Sequence, residues 1–552
     1  PSALPAALPF IAMWLIAPLV GFVLSRPVRR VRHELAEPDR DFLRGVAHDT
    51  WRYFDTYVTT EHHGLPPDNV QLVPDLRVAH RTSPTNIGMG LLATVAAHDL
   101  GFITRDDLAT RLDATLTTIE GLEQHHGHLL NWYDTHTLAP LVPAYVSTVD
   151  SGNLAGALIC LSAGLSSEAQ RARDDDPDLA TRLLDLAARA DAIVEAMDFA
   201  FLFDAERRLF TIGYRLADSE GPGRFDGSYY DLLASEARLA SFVAIAKGDV
   251  PQSHWFRLGR TLTKVHGAPV LLSWSATMFE YLMPLLLMRS YPDTLLDESS
   301  RLVVRRQIDH GRARGVPWGI SESAYGVVDR YGTYQYKAFG VPGVGLTRGL
   351  GDELVVAPYA TALGALVAPG PAVANLHRLA KAGLRGDFGF FEAIDYTSRD
   401  TDRADAPAVA GPHGEGTIIR AYMSHHQGMT LVALANVLLH DVMVTRFHRD
   451  PRVKATELLL QERIPRPSTI ATVRPAEEMP LPATVSAVPV RRYRSPHTTR
   501  PHAQFLSNGN YVTVVTNGGG AGRLAPLLPR LAISCPRCRQ RQPGAAERHC
   551  QS

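Results

Sequence analysis

At 552 residues, with 45% apolar and 20% charged side chains, the chain has room for one large domain with appendages, or for two or three domains. A formal net charge of −1 gives no electrostatic case for nucleic acid. Cys160, Cys535, Cys538 and Cys550 make no disulfide framework and suit a reducing compartment.

The chain starts at Pro1 without Met and reads as a piece of a longer one. "ALPFIAMWLIAPLVGFVLS", Ala7 to Ser25, carries no charge over 19 residues. That length suits a bilayer core of about 30 Å. Arg26, Arg29, Arg30 and Arg32 follow at once, so residues 1–30 are expected to be a transmembrane segment and its basic flank. The flank would hold the next domain on the cytoplasmic side. A buried helix with two prolines is the alternative.

From Asp41 onward the pattern is helical, with apolar residues at i, i+3, i+4 and i+7. Amphipathic stretches run near 41–57, 84–100, 105–122, 150–165, 178–200, 229–247, 276–289, 295–313, 355–367, 370–383, 417–440 and 452–462. In the first, Phe42, Val46, Trp51 and Phe54 face a core. Twelve helices fit six hairpins closed into an (α/α)6 barrel over residues 31–470, an all-α fold with long loops.

Those loops are rich in aromatic, acidic and amide residues: "HHGLPPDNVQ", "GHLLNWYDTHT", "YVSTVDSGN", "GRFDGSYYD", "SWSATMFEYLMP", "WGISESAYGVVDRYGTYQYKAFG" and "GFFEAIDYTSRD". Tyr and Trp faces beside Asp, Glu and Asn suit sugar rings, whose CH faces stack while their hydroxyls take directional hydrogen bonds.

Six longer motifs carry a resemblance: "PTNIGMGLLATVAAHDLGFIT", "NWYDTHTLAPLVPAYVSTVDSGNLAGAL", "SWSATMFEYLMPLL", "GVPWGISESAYGVVDRYGTYQYKAFGVPGVGLTRGL", "GFFEAIDYT" and "AYMSHHQGMTLVALANVLL". The chain resembles the glucoamylase-like central domain of the cyclic β-1,2-glucan synthases, bacterial inner-membrane proteins. The resemblance covers residues 10 to 520 and implies a transglycosylase that cuts linear β-1,2-glucan and joins its ends. It further implies a partnership with the other modules of a full-length synthase. Residues 471–522 resemble a linker and the opening of a phosphorylase-like module. From 523 the pattern departs into a basic tail, 523–552, expected to be disordered or aberrant.

Chemistry at an acetal needs two carboxyl groups flanking the scissile bond. Glu322 lies in "GVPWGISESAYG" between Trp318 and Tyr325, which could exclude water and raise its pKa. Glu392 sits among Phe390, Phe391 and Tyr396, and Glu280 in "MFEYLMP" is a third candidate. Glu280 reads equally as a satisfied carboxylate at a helix end. Asp134, Asp150 and Asn153 are candidates for sugar hydroxyls, with Trp132 and Tyr133 as stacking faces. Asp150 could instead be a helix N-cap. Tyr334, Tyr336 and Lys337 would line the far side of the cleft. In "SHHQGM", one of His425 and His426, with Gln427, would bond a sugar or a loop carboxylate. Adjacent histidines diverge by about 100° on a helix, so neither a metal nor any other cofactor is expected.

Two function classes stay open on the residues: an enzyme acting on a glucan, and a module that only holds polymer. A carboxyl pair in aromatic loops favours the enzyme. Hydrolysis to linear oligosaccharides is the alternative within it.

Overall fold

The helices run in chain order as α1 (Glu37–Tyr57), α2 (Pro84–Asp99), α3 (Arg105–Gly121), α4 (Thr148–Ala172) and α5 (Pro177–Ala196). They continue as α6 (Arg238–Lys247), α7 (Ser253–Arg257), α8 (Met278–Leu282), α9 (Leu295–Arg314) and α10 (Pro358–Gly364). α11 (Pro369–Lys381), α12 (Ser424–Leu438), α13 (Val442–Phe447) and α14 (Pro451–Thr456) complete the series. The computed structural model describes residues 10, 12–20, 35–218, 221–397, 416–464, 503–507, 512–517 and 521–524.

Two kinds of helix alternate, and burial separates them. In α2, α10 and α12 nearly every side chain is buried, as their near-continuous apolar sequences require. α1 buries one face, with Leu43, Val46, Trp51 and Phe54 inward; Phe42 is half-buried and stacks on His377 at 3.7 Å. α2 packs on α4, α4 on α6, α8 on α10, α10 on α12, and α12 returns to α2. Arg238 makes the step from α6 to α8, donating to the Glu280 and Tyr281 carbonyls. α1, α3, α5, α9 and α11 lie outside this ring against their neighbours.

Local chemistry sets the helix ends. Ser83, Thr104, Ser147, Asp176, Thr277 and Thr294 each accept a backbone N–H at a helix start. Such caps contribute about 1 kcal/mol apiece. Gly248 and Gly315 end α6 and α9 with positive φ, a left-handed conformation that L side chains rarely adopt. Gly152 lets α4 approach α6 closely: a Cβ there would sit 2.5 Å from Ala240 Cα.

The all-α expectation is corrected, because short strands organise the loops. β1 (Asn69–Gln71) lies far in sequence from β2 (Ser323–Val328), β3 (Tyr334–Lys337), β4 (Val355–Val356), β5 (Ala393–Asp395), β6 (Thr417–Ile419) and β7 (Ala421–Met423). β1 pairs antiparallel with β7, Asn69 opposite Met423. β2 and β3 form a hairpin, and β5 runs between β4 and β6. Strands of two to six residues are too short for an alternating pattern to register in sequence.

Residues 12–20 are helical, with Met13, Trp14, Leu15, Ile16 and Leu19 exposed. Residues 7–9, 11 and 21–25 of the expected span lie outside the described residues. Among the described residues no helix is long and apolar enough to cross a membrane. The chain divides into units at 1–479 and 480–552. In the second, strands Ala503–Ser507, Val512–Thr516 and Ala521–Leu524 form an antiparallel sheet. Residues 523 and 524 thus belong to a strand, and the rest of the predicted tail lies outside the described residues.

Candidate active site

The starts of two inner helices and of two strands, β2 and β5, bring carboxyl groups together. Glu236 precedes α6, Glu280 lies in the first turn of α8, Glu322 enters β2, and Glu392 precedes β5. Glu322 is half-buried. Burial raises its carboxyl to about 8, the charges of Glu236 and Glu280 push it the same way, and a hydrogen bond from Tyr336 opposes them. Glu236, also half-buried, is raised to about 7 by burial and next by the Glu280 charge.

Glu280 has a different setting. Its carboxylate accepts from Ser273 Oγ at 2.9 Å, from the Thr277 N–H at 2.9 Å and from the Ser275 N–H at 3.0 Å. Together with Thr277 it forms a capping box at the start of α8. Of its two sequence readings, the helix-end carboxylate describes these contacts.

Glu392 is 2% exposed and lies beneath the site. Its Oε1 accepts from the Ala324 N–H at 3.1 Å, and both oxygens lie 3.0 Å from His426 Nδ1. The other face of that imidazole stacks on Tyr359 at 3.6 Å, and His426 Nε2 is 3.3 Å from Tyr336 Oη. Burial raises the Glu392 carboxyl to about 8 and lowers His426 to about 3, so both are held neutral. Tyr359 Oη lies 3.0 Å from the Glu322 carbonyl and 2.7 Å from Ser321 Oγ, which fixes the backbone at the start of β2.

A second polar chain borders this cluster. His425 Nδ1 is 3.2 Å from Asn86 Oδ1, and Asn86 donates to Asp68. Arg81 also donates to Asp68, and its guanidinium lies over the Trp132 ring at 4.6 Å. Asp150 accepts from Thr85 at 2.5 Å; Ser147, not Asp150, caps α4.

Several expected sugar contacts are corrected by burial. Tyr133 is wholly buried, donating to the Glu123 carbonyl and accepting from the Leu130 N–H. Asn153 donates to Thr85 and Gln427 to the Phe390 carbonyl, both within the core. Trp318 packs between Gly311 of α9 and Gly364 of α10, leaving no face for a sugar or for shielding Glu322. Tyr334 is 8% exposed, its N–H on Gln71. Asp134 holds a turn by accepting from the His136 and Thr137 N–H groups. Lys337 is exposed and paired with Glu353. Tyr325 meets Phe339 edge-on, and Tyr396 is half-buried against Gly416.

Glu236 escaped the sequence reading. Its signal was position: an acid just after the aromatic pair Tyr229–Tyr230, at the mouth of an inner helix.

The Glycoamylase family model matches residues 228–451, and DUF3131, a family of unknown function, matches 45–153. The chain is 36% identical over 94% of its length to cyclic β-(1,2)-glucan synthase NdvB of Rhizobium meliloti, and spans 22% of that protein. Solved structures share the fold at low identity. Endo-β-1,2-glucanase from Chitinophaga pinensis is 16% identical, with TM-score 0.59, covering 76% of this chain and 98% of that one. The Talaromyces funiculosus endo-β-1,2-glucanase is 14% identical, with TM-score 0.60, covering 78% and 95%. Residues 228–451 thus match the Glycoamylase family model, and the chain is similar along nearly its whole length to about one fifth of a cyclic β-1,2-glucan synthase.

Proposed function

We propose that this chain cleaves linear β-1,2-glucan and rejoins the new end to the other end of the same molecule, giving a ring. One observation carries the reading: Glu322, raised to about 8, lies near enough to Glu236, itself raised to about 7, for the Glu236 charge to push it up. A carboxyl still protonated at neutral pH suits donation to the leaving glycosidic oxygen. Glu236 is the second carboxyl, acting on the anomeric side. Each glycosidic bond broken is replaced by one formed, so no water is consumed. Glu392 acts from below. With both groups neutral, the Glu392 O–H donates to His426 Nδ1, and His426 Nε2–H donates to Tyr336 Oη. The Tyr336 proton is then directed at Glu322.

The scaffold of this reading is an (α/α)6 barrel. Membrane attachment through residues 7–25, with the domain on the cytoplasmic side of the bacterial inner membrane, belongs to the same proposal. Its support is the exposed apolar helix at 12–20 and the arginines that follow.

The test is incubation of the purified chain with linear β-1,2-glucan and no nucleotide sugar. Rings lack one water relative to linear chains of equal length, so product mass decides. Linear products alone would establish the hydrolase, to which the likeness to endo-β-1,2-glucanase folds lends support. Retained glucan binding without turnover would reduce the chain to a polymer-holding module.

A further inference from the structure

Three loops distant in sequence place three imidazoles together. His62 follows α1, His80 precedes the strand Arg81–Thr82, and His136 follows the strand Tyr133–Asp134. Those two strands pair, Arg81 opposite Asp134, and the Thr135 N–H donates to the His80 carbonyl at 3.1 Å. Ring centroids are 5.2 Å apart for His62 and His80, 4.7 Å for His62 and His136, and 4.4 Å for His80 and His136. One ring nitrogen from each lies within 4.8 Å of the others.

We propose that His62, His80 and His136 bind one divalent transition-metal ion of imidazole preference, such as Zn2+ or Co2+. His136 Nε2 and His80 Nδ1 are already 2.9 Å apart, sharing one proton between two lone pairs. Tetrahedral zinc with bonds of 2.0–2.1 Å places its ligand nitrogens about 3.4 Å apart, close to this spacing. The third nitrogen needs a shift of roughly 1 Å, which rotation of the exposed His80 and His136 rings allows. His62 Nδ1 is 3.0 Å from the buried Thr135 Oγ, so His62 would offer Nε2. A hydrogen bond of this kind to the nitrogen facing away from the ion fixes the ring and its tautomer. Among the described residues, none of the three is ion-paired with a carboxylate that would have to be displaced. When the ion enters, the ring that holds the shared proton must carry it on its other nitrogen.

Such an ion would take no part in bond cleavage. It would tie three loops together at the rim, next to Arg81, which lies over Trp132 and reaches His425 through Asp68 and Asn86. Spacing in sequence could not reveal it, because no two of the ligands are at helical separation.

The experiment titrates the untagged, chelator-stripped full chain with Co2+, followed by visible absorption, and with Zn2+, followed by calorimetry. One ion per chain is expected, with visible bands and a raised unfolding temperature. The His80→Gln/His136→Gln double variant changes only exposed side chains, and should bind at least ~10-fold more weakly and lose both signals. No saturable binding up to about 100 µM metal would overturn the site. So would binding of equal affinity in the double variant.

Discussion

Glu392 presents both carboxylate oxygens to one nitrogen of His426 at 3.0 Å, and each side chain is 1% exposed. Neither touches solvent, so in the proposed mechanism Glu392 would act through Tyr336 rather than on substrate. Its change to Gln keeps an acceptor for the Ala324 N–H and an N–H for His426. Activity should fall about 10-fold or less, short of the loss at a residue that transfers the proton itself. Initial rates on linear glucan, compared with Glu322→Gln, check the order.

Glu322→Gln should lower the rate at least ~10²-fold, because a general acid is removed from the reacting oxygen. Glu236→Gln should lose as much. Circular dichroism of both variants should match the parent, since Gln keeps the volume. Full activity in either would remove that residue from the chemistry.

Tyr336→Phe deletes a hydrogen bond that lowers the Glu322 pKa. With that bond gone the pKa rises, so the alkaline limb of the pH–rate profile should move upward while the maximum rate falls. A profile recorded from pH 5 to 10 distinguishes this from simple misfolding, which lowers the rate without moving the limb.

Stability should also depend on pH with a definite sign. Glu322 and Glu392 are each raised from 4.5 to about 8 in the folded chain. Their protonated forms therefore favour folding. That contribution is complete below about pH 4.5 and is lost as pH rises through about 8. Chemical denaturation at intervals across this window should show the midpoint falling, and a Glu322→Gln/Glu392→Gln variant should show a flatter course.

Away from the site, Arg446 on α13 makes a two-pronged pair with Asp99 of α2, both side chains under 10% exposed. Arg446→Met would strand the Asp99 charge in the core. A loss of about 3–5 kcal/mol is expected from such a broken buried pair, read by urea unfolding.

The outer helices were legible because each buries one stripe. The expected 105–122 and 295–313 match α3 and α9 to within a residue. Three inner helices were read too long. The stretches expected at 229–247, 355–367 and 417–440 begin as strands and turn helical only at Arg238, Pro358 and Ser424. An apolar run buried on all sides has the same appearance whether strand or helix. At the site, Glu322 and Glu392 were visible as acids among aromatics. Tyr133, Trp318 and Gln427 were misread because residue type does not tell a cleft-facing ring or amide from one packed inward. Glu236 had only its position after Tyr229–Tyr230 to mark it, and the three-histidine cluster arises from tertiary proximity alone.

Pairing of β1 with β7 joins residues 69–71 to residues 421–423. Almost the whole ring must be synthesised before that pairing can form, and closing a loop of such length is entropically costly and slow. Glu392 gains His426 as a partner only once α12 has docked on α1 and α2. A nascent chain halted before Ser424 would carry most of its helices but not the imidazole that Glu392 meets, so the proposed site is complete only when the two ends of the ring come together.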